Sequence, residues 1–219
     1  MPAKTRKPTM TEAKRAARFD RWRTSVHESA HAVACIELGI GLEFVSIRPG
    51  LHFRGVTSHD IGPLPGEIRR GGVLDQPLEL RTAVERHMVM SLAGPLASRM
   101  VDPASLPGYS GATDDEKAVR AATAFLARHI PLARALARME SGDPMPTDED
   151  NALGLSEELA GEPDEASAHY MLVRSAARRF VVEHWRPIEA LARALDKRLV
   201  IDGPDAERIV RTAMAGARR

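Results

Sequence analysis

The sequence is poor in aromatic residues, in cysteine and in net charge, and each shortage excludes a class of protein. Aromatic side chains make up 4% of the 219 residues, too few for a platform on which nucleic-acid bases stack. The one cysteine, Cys35, excludes an internal disulfide framework and a cysteine-rich zinc module. Lysine and arginine total 31 against 30 acids, a balance that argues against a dedicated nucleic-acid-binding protein.

Long apolar runs are also missing. The longest of them spans only a few residues, far short of the ~20 that cross a bilayer. No basic-then-apolar signal stretch opens the chain. We therefore expect a cytoplasmic globular protein without a membrane span, long enough to bury a core without help from a disulfide or a metal.

Charge is distributed unevenly along the chain. Residues 1–21 are basic, and we predict a solvated N-terminal tail that is partly disordered, with a possible helix over 11–18. Residues 140–166 contain ten acids and neither lysine nor arginine, which predicts an acidic surface excursion. Both segments flank or interrupt a single predicted domain over residues 22–217.

The spacing of apolar and β-branched residues predicts a mainly α protein with one small β-sheet, an α+β fold. The predicted elements are a helix from about Trp22 to Leu38, strands over Glu43–Arg48 and Gly55–Thr57, a helix from about Leu80 to Val101, and helices from Asp114 onward that resume near Ala166. One face of the helix that begins near Leu80 is predicted to be buried through Leu80, Val84, Met88, Leu92, Leu96 and Met100.

The most informative motif is the segment His27-Glu28-Ser29-Ala30-His31. Side chains four residues apart on a helix lie one turn above each other, so both imidazoles can bind one ion. Glu28 is adjacent to the first histidine, where a carboxylate can take a proton from a water molecule, as in zinc hydrolases. The alternative is a pair of histidines on an amphipathic helix without a metal.

A third metal ligand must come from elsewhere, because catalytic zinc sites usually have three protein ligands. Thr113 and Glu116 form a capping-box pattern that predicts the start of a helix. Asp114 and Asp115 then lie in its first turn, where the helix dipole favours an ionised carboxylate. The alternative is that both acids only complement the dipole.

These motifs together resemble the peptidase domain of the FtsH-type membrane AAA proteases, over about Trp22 to Met214. The zinc motif resembles that family's His-Glu-Ala-Gly-His-Ala, and Gly111-Ala112-Thr113-Asp114-Asp115 resembles its Gly-Ala-Ser-Asn-Asp. Three weaker segments follow the family's order: Val45–Pro49 with Gly55–Thr57 for its strand pair, Ser91–Ala97 for its Leu-Ala-Gly-Arg-Ala-Ala helix, and Ala190–Gly203 for its C-terminal helices.

The resemblance implies a zincin-like metallopeptidase that holds one zinc ion per chain. His27, His31 and Asp115 would be the ligands, with Asp114 as the alternative to Asp115, and Glu28 would be the general base. The expected activity is that of a zinc metalloendopeptidase acting on unfolded or flexible polypeptides. The family forms hexameric rings, so a homo-oligomer is also implied.

The departures from the family are equally informative. No Gly-x-x-x-x-Gly-Lys-Ser/Thr phosphate loop is present, so the ATPase that would unfold substrates is expected on a separate delivery partner, if one is used. Ser98 and Arg99 replace the family's acidic pair, and Pro95 removes a helical hydrogen bond. Two alternatives stay open: a processing protease selective for one regulatory protein, and an inactive zinc-stabilised interaction domain, against which the intact Glu28 weighs.

Three further residues have chemistry that the motif could use, and each also has a plainer interpretation. Cys35 lies one turn beyond His31, but a small buried filler is favoured. His52 and His59 flank the second strand and could stabilise a tetrahedral intermediate, but exposed residues at loop edges are favoured.

Overall fold

The computed structural model describes residues 9–49, 54–60, 66, 68, 71–102 and 147–216. Within these ranges the chain is mainly helical with one small antiparallel sheet, so the predicted α+β class is confirmed. The helices are α1 (Met10–Leu38), α2 (Leu78–Val101), α3 (Asp148–Ala160), α4 (Pro163–Glu183), α5 (Trp185–Arg198) and α6 (Gly203–Ala215). The strands are β1 (Gly41–Ser46), β2 (Val56–Asp60) and β3 (Val200–Asp202), and a 3-10 turn covers Val73–Asp75. None of the described helices combines the length and the apolar character needed to cross a bilayer.

Helix α1 packs against both helices and strands, whereas α3 and α4 pack against α2 and against each other. It contacts α2 on one side, α5 on another, and the first two strands at its C-terminal half. Small buried side chains such as Ala30 and Ala34 let these neighbours approach closely. The helix ends where predicted, at Gly39, whose φ of 71° is the left-handed conformation of a helix C-cap. It begins earlier than the predicted domain, at Met10, so residues 10–21 of the predicted tail are helical and mostly exposed.

The sheet has the strand order β2-β1-β3, with both pairs antiparallel. Within the described residues β2 therefore forms one edge of the sheet. The two strands predicted from β-branched residues are confirmed. The third strand was not predicted, because a three-residue strand between two helices carries too little alternation to be seen.

The predicted buried face of α2 holds for five of its six residues. Met100 is the exception: it is 46% exposed, whereas Leu80 and Leu92 are fully buried. Residues four apart turn by about 40° per step relative to a helix of 3.6 residues per turn, so a strict spacing of four drifts by about 200° over five steps. Leu96, turned about 160° from Leu80, is still buried, whereas Met100 lies in the last turn of α2, and its predicted burial is wrong.

The acidic segment differs from the predicted surface excursion. Residues 148–160 form α3, which packs against α2 and α4 through the buried side chains of Ala152 and Leu159. The acids are concentrated in its first turn, where they complement the helix dipole, and the small and apolar residues face inward. Charge density along the sequence did not distinguish a solvated loop from a helix with an acidic N-terminus.

Candidate metal centre

Three side chains from α1 and α3 converge on one point. His27 and His31 lie on successive turns of α1, and their Nε2 atoms are 3.0 Å apart. Asp148, the first residue of α3, brings its Oδ2 to 3.0 Å from Nε2 of His27 and 3.3 Å from Nε2 of His31. One nitrogen or oxygen from each residue lies within 4.8 Å of the others, so this group could hold a metal ion.

Helix α2 orients both imidazoles for that role. Nδ1 of His31 is 2.8 Å from the carbonyl oxygen of Met90, and since a carbonyl only accepts, Nδ1 carries the proton. Nδ1 of His27 is 3.1 Å from the hydroxyl of Ser98, which can accept in the same way. In a neutral imidazole each bond leaves the Nε2 lone pair directed at the shared site, the arrangement that supporting hydrogen bonds produce around metal ligands.

The same helix also anchors the first turn of α3, which carries Asp148. Arg99, near the end of α2, forms an ion pair with Glu149, the residue after Asp148. This contact holds the first turn of α3 against α2. Ser98 therefore supports His27, and Arg99 supports the turn that carries Asp148. In the FtsH-type family that the sequence resembles, an acidic pair occupies the positions of Ser98 and Arg99.

The electrostatic field at the group favours a positive charge. Burial by itself lowers the pKa of His31, but the carboxylates of Asp148 and Glu28 and the Met90 carbonyl outweigh it and raise the pKa to about 9. Burial raises the pKa of Asp148, but His31 and His27 outweigh it and lower that pKa below its ordinary range. The anionic carboxylate and the surrounding acceptors thus stabilise a cation between them.

Glu28 lies beside the group, at the wall of a cleft. Its side chain is almost buried, with 7% of the residue exposed, and its Oε2 lies 2.9 Å from the hydroxyl of Thr57 on β2. The adjoining cavity has a volume of about 330 Å³, and His27 and Glu28 are among the residues that line it. Its other lining residues are Arg23, Thr24, Arg54, Gly55 and Ser98.

The close approach of α2 to His31 requires glycine at position 94. A Cβ atom there would lie 2.2 Å from Nε2 of His31, far inside van der Waals contact. Pro95 follows directly, and α2 nevertheless continues to Val101. Since His31 is tied to Met90, an added methyl group can be accommodated only by moving the imidazole or the helix.

Gly94→Ala is therefore expected to weaken metal binding by about 10–100-fold, the range typical when support of a ligand is lost. Alanine in a helix interior would otherwise add about 0.5–1 kcal/mol of stability over glycine, so the local propensity acts in the opposite direction. A metal-competition titration measures the affinity, and thermal unfolding measures the stability. Gly41→Ala is the control, because its Cβ would meet only Asp60 at an ordinary 3.4 Å. Unchanged metal affinity in Gly94→Ala would contradict the close approach.

The other residues singled out from the sequence have different outcomes. Cys35 is fully buried, and burial raises its pKa to about 12. It is not a member of the group formed by His27, His31 and Asp148. His59 lies on β2 with its Nδ1 3.1 Å from the carbonyl oxygen of Thr57, also outside that group. His52, Asp114 and Asp115 lie outside the described residues, so their roles stay predictions.

Asp148 is the site residue that sequence reasoning missed, although a signal for it was present. Thr147 caps α3, with its hydroxyl accepting from the backbone N–H of Asp150 at 3.2 Å. The segment Thr147-Asp148-Glu149-Asp150 thus repeats the pattern of Thr113-Asp114-Asp115-Glu116, a capping threonine followed by first-turn acids. The pattern indicates both segments as candidates for the third metal ligand and does not distinguish between them.

Comparisons with known proteins identify no family for this chain. The sequence matches no protein-family model, and no curated protein matches it significantly.

Proposed function

We propose that this chain is a zinc-dependent metalloendopeptidase. The observation that carries the proposal is the set of separations among the Nε2 atoms of His27 and His31 and the Oδ2 atom of Asp148, which are 3.0, 3.0 and 3.3 Å. Ligand atoms about 2.0–2.1 Å from a tetrahedral zinc ion are about 3.3 Å apart. The three atoms thus have nearly the spacing of three corners of a zinc site.

The donor types support the same choice of metal. Two imidazoles and one carboxylate are a common ligand set of catalytic zinc, and three protein ligands leave a fourth position open for water or substrate. Glu28 follows the first ligand directly, as in other His-Glu-x-x-His hydrolases. We also propose that α1 and the edge strand β2 are arranged as in zincin-like metallopeptidases. Asp148 is taken as the third ligand because it is the acid that lies against both histidines.

In the proposed mechanism Glu28 is the residue that accepts and donates the proton. A zinc ion held by His27, His31 and Asp148 would supply Lewis acidity to a bound water molecule and to the carbonyl of the scissile peptide bond. Glu28 accepts a proton from the attacking water while the water oxygen bonds to the carbonyl carbon. Glu28 then donates that proton to the amine nitrogen as the C–N bond breaks, which releases a carboxylate and an amine. The Ser98 hydroxyl and the Met90 carbonyl keep the imidazoles of His27 and His31 oriented toward the site.

The position of β2 supports an extended polypeptide as the substrate. This strand forms one edge of the described sheet, and its neighbour Gly55 lines the cavity beside Glu28. A peptide that pairs with such an edge is recognised through main-chain hydrogen bonds, which gives modest sequence specificity and requires an unfolded segment. Unfolded proteins, flexible loops or chains delivered by a separate ATPase are the proposed substrates. A hexameric ring is proposed from the family resemblance only.

The zinc-loaded chain is expected to degrade casein, which is permanently unfolded, and to leave a compact folded protein intact. Fragments are followed by mass spectrometry, before and after removal of the metal with a chelator. Chelation should stop cleavage and added zinc should restore it, because the metal supplies the Lewis acid. A fully zinc-loaded chain that leaves casein intact would contradict the proposal and favour the selective processing protease or the inactive interaction domain.

A further inference from the structure

The strand β2 and the residue before it, Gly55, hold the side chain of Glu28 from two directions. The hydroxyl of Thr57 lies 2.9 Å from Oε2 of Glu28 and 3.0 Å from the backbone oxygen of the same residue. Both of those oxygens are acceptors when the carboxylate is ionised, so Thr57 is the donor in the pair and its one proton is shared between them. The side chain of one strand residue thereby ties the Glu28 carboxylate to the helix that bears it.

Gly55 provides the second contact. A Cβ atom at this position would lie 2.6 Å from Cγ of Glu28 and 2.7 Å from its Oε1. The backbone of residue 55 therefore lies directly against the face of the carboxylate, and no larger residue fits without displacing it. Thr57 and Gly55 together leave the Glu28 side chain few alternative rotamers.

We propose that Thr57 is a positioning residue that directs the Glu28 carboxylate, so that the strand that binds the peptide also orients the general base. This inference rests on the proposed peptidase function. A glutamate side chain has three rotatable bonds, and a proton acceptor misplaced by about 1 Å can cost about 100-fold in rate. A base fixed by the same strand that aligns the substrate needs no separate ordering step before it accepts the proton.

The contact predicts a specific kinetic pattern for Thr57→Val. Valine keeps the β-branched shape that suits a strand but has no hydroxyl, so the Glu28 carboxylate loses its donor. We expect kcat to fall by about 10–100-fold. KM should stay within about twofold, because main-chain pairing with the peptide is unaffected. The zinc content should also be unchanged, because Thr57 contacts none of the three proposed ligands.

Two variants separate this role from general support of the fold. Thr57→Ser restores the hydroxyl and should recover most of the lost kcat. Ser58→Ala is the matched control, because Ser58 is the next residue on the strand and its hydroxyl bonds Glu43 at 2.6 Å rather than Glu28. The measurements are kcat and KM on a quenched fluorescent peptide taken from a casein cleavage site, zinc per chain, and the melting temperature.

Different outcomes overturn different statements. Wild-type cleavage with an unchanged kcat in Thr57→Val overturns the positioning role and leaves the peptidase function intact. Equal losses of kcat in Thr57→Val and Ser58→Ala, or a loss that Thr57→Ser does not recover, also overturn it. A wild-type chain that holds zinc and leaves casein intact overturns both proposals.

Discussion

Glu28→Gln is expected to lower kcat by about 10²–10⁴-fold, the range contributed by a general base, while zinc stays bound. Glutamine has the shape of glutamate but cannot accept the proton of the attacking water. The hydroxyl of Thr57, 2.9 Å from Oε2, can donate to the amide oxygen or accept from the amide nitrogen, so the side chain keeps its place. The kinetic effect is measured on the casein-derived peptide, and metal content by elemental analysis of the same samples.

Glu37→Gln is the matched control for this prediction. Glu37 lies on the same helix and pairs with Arg211 and His184. It is not part of the group formed by His27, His31 and Asp148. Its replacement should leave kcat unchanged. A Glu28→Gln variant that cleaves at the wild-type rate would show that another group carries the proton. A variant that loses its zinc would show that Glu28 supports the metal rather than the reaction.

Asp148→Ala is expected to reduce zinc affinity by more than the 10–100-fold typical of losing a supporting hydrogen bond, because a ligand itself is removed. The two imidazoles would remain as the only protein ligands among the described residues, and the negative charge that stabilises a cation beside His31 would be gone. Purified Asp148→Ala is expected to contain well under one zinc per chain and to lose peptidase activity in proportion.

Asp115→Ala tests the ligand that the family resemblance implies. If Asp148 completes the site, Asp115→Ala keeps its zinc; the reverse pattern would assign the third position to Asp115 and contradict the ligand set proposed here. Asp164→Ala is the control for Asp148→Ala, since Asp164 is an exposed first-turn acid of α4 with no contact to the histidines. It reproduces the loss of a favourable charge at a helix N-terminus without the loss of a metal ligand.

Sequence reasoning was successful where the information is local. The i, i+4 spacing of His27 and His31 by itself brings two imidazoles together once the segment is helical, because helix geometry alone sets their separation. The strand pair followed in the same way from two runs of β-branched residues. The predicted burial of α2 is confirmed from Leu80 to Leu96 and is wrong at Met100, which lies in the last turn of the helix.

The rest of the site was decided by tertiary packing. Asp148 is 121 residues from His27, and the segment that starts at Thr113 has the same capping-box sequence pattern. The local pattern therefore indicates two candidate segments and does not select the third metal ligand. Ser98, Gly94 and Thr57 show no pattern that marks them as supports of the site. Their roles arise because α2 and β2 pack within contact distance of α1. Local sequence sets the conformation of each element, whereas the close packing of distant elements determines which side chains meet.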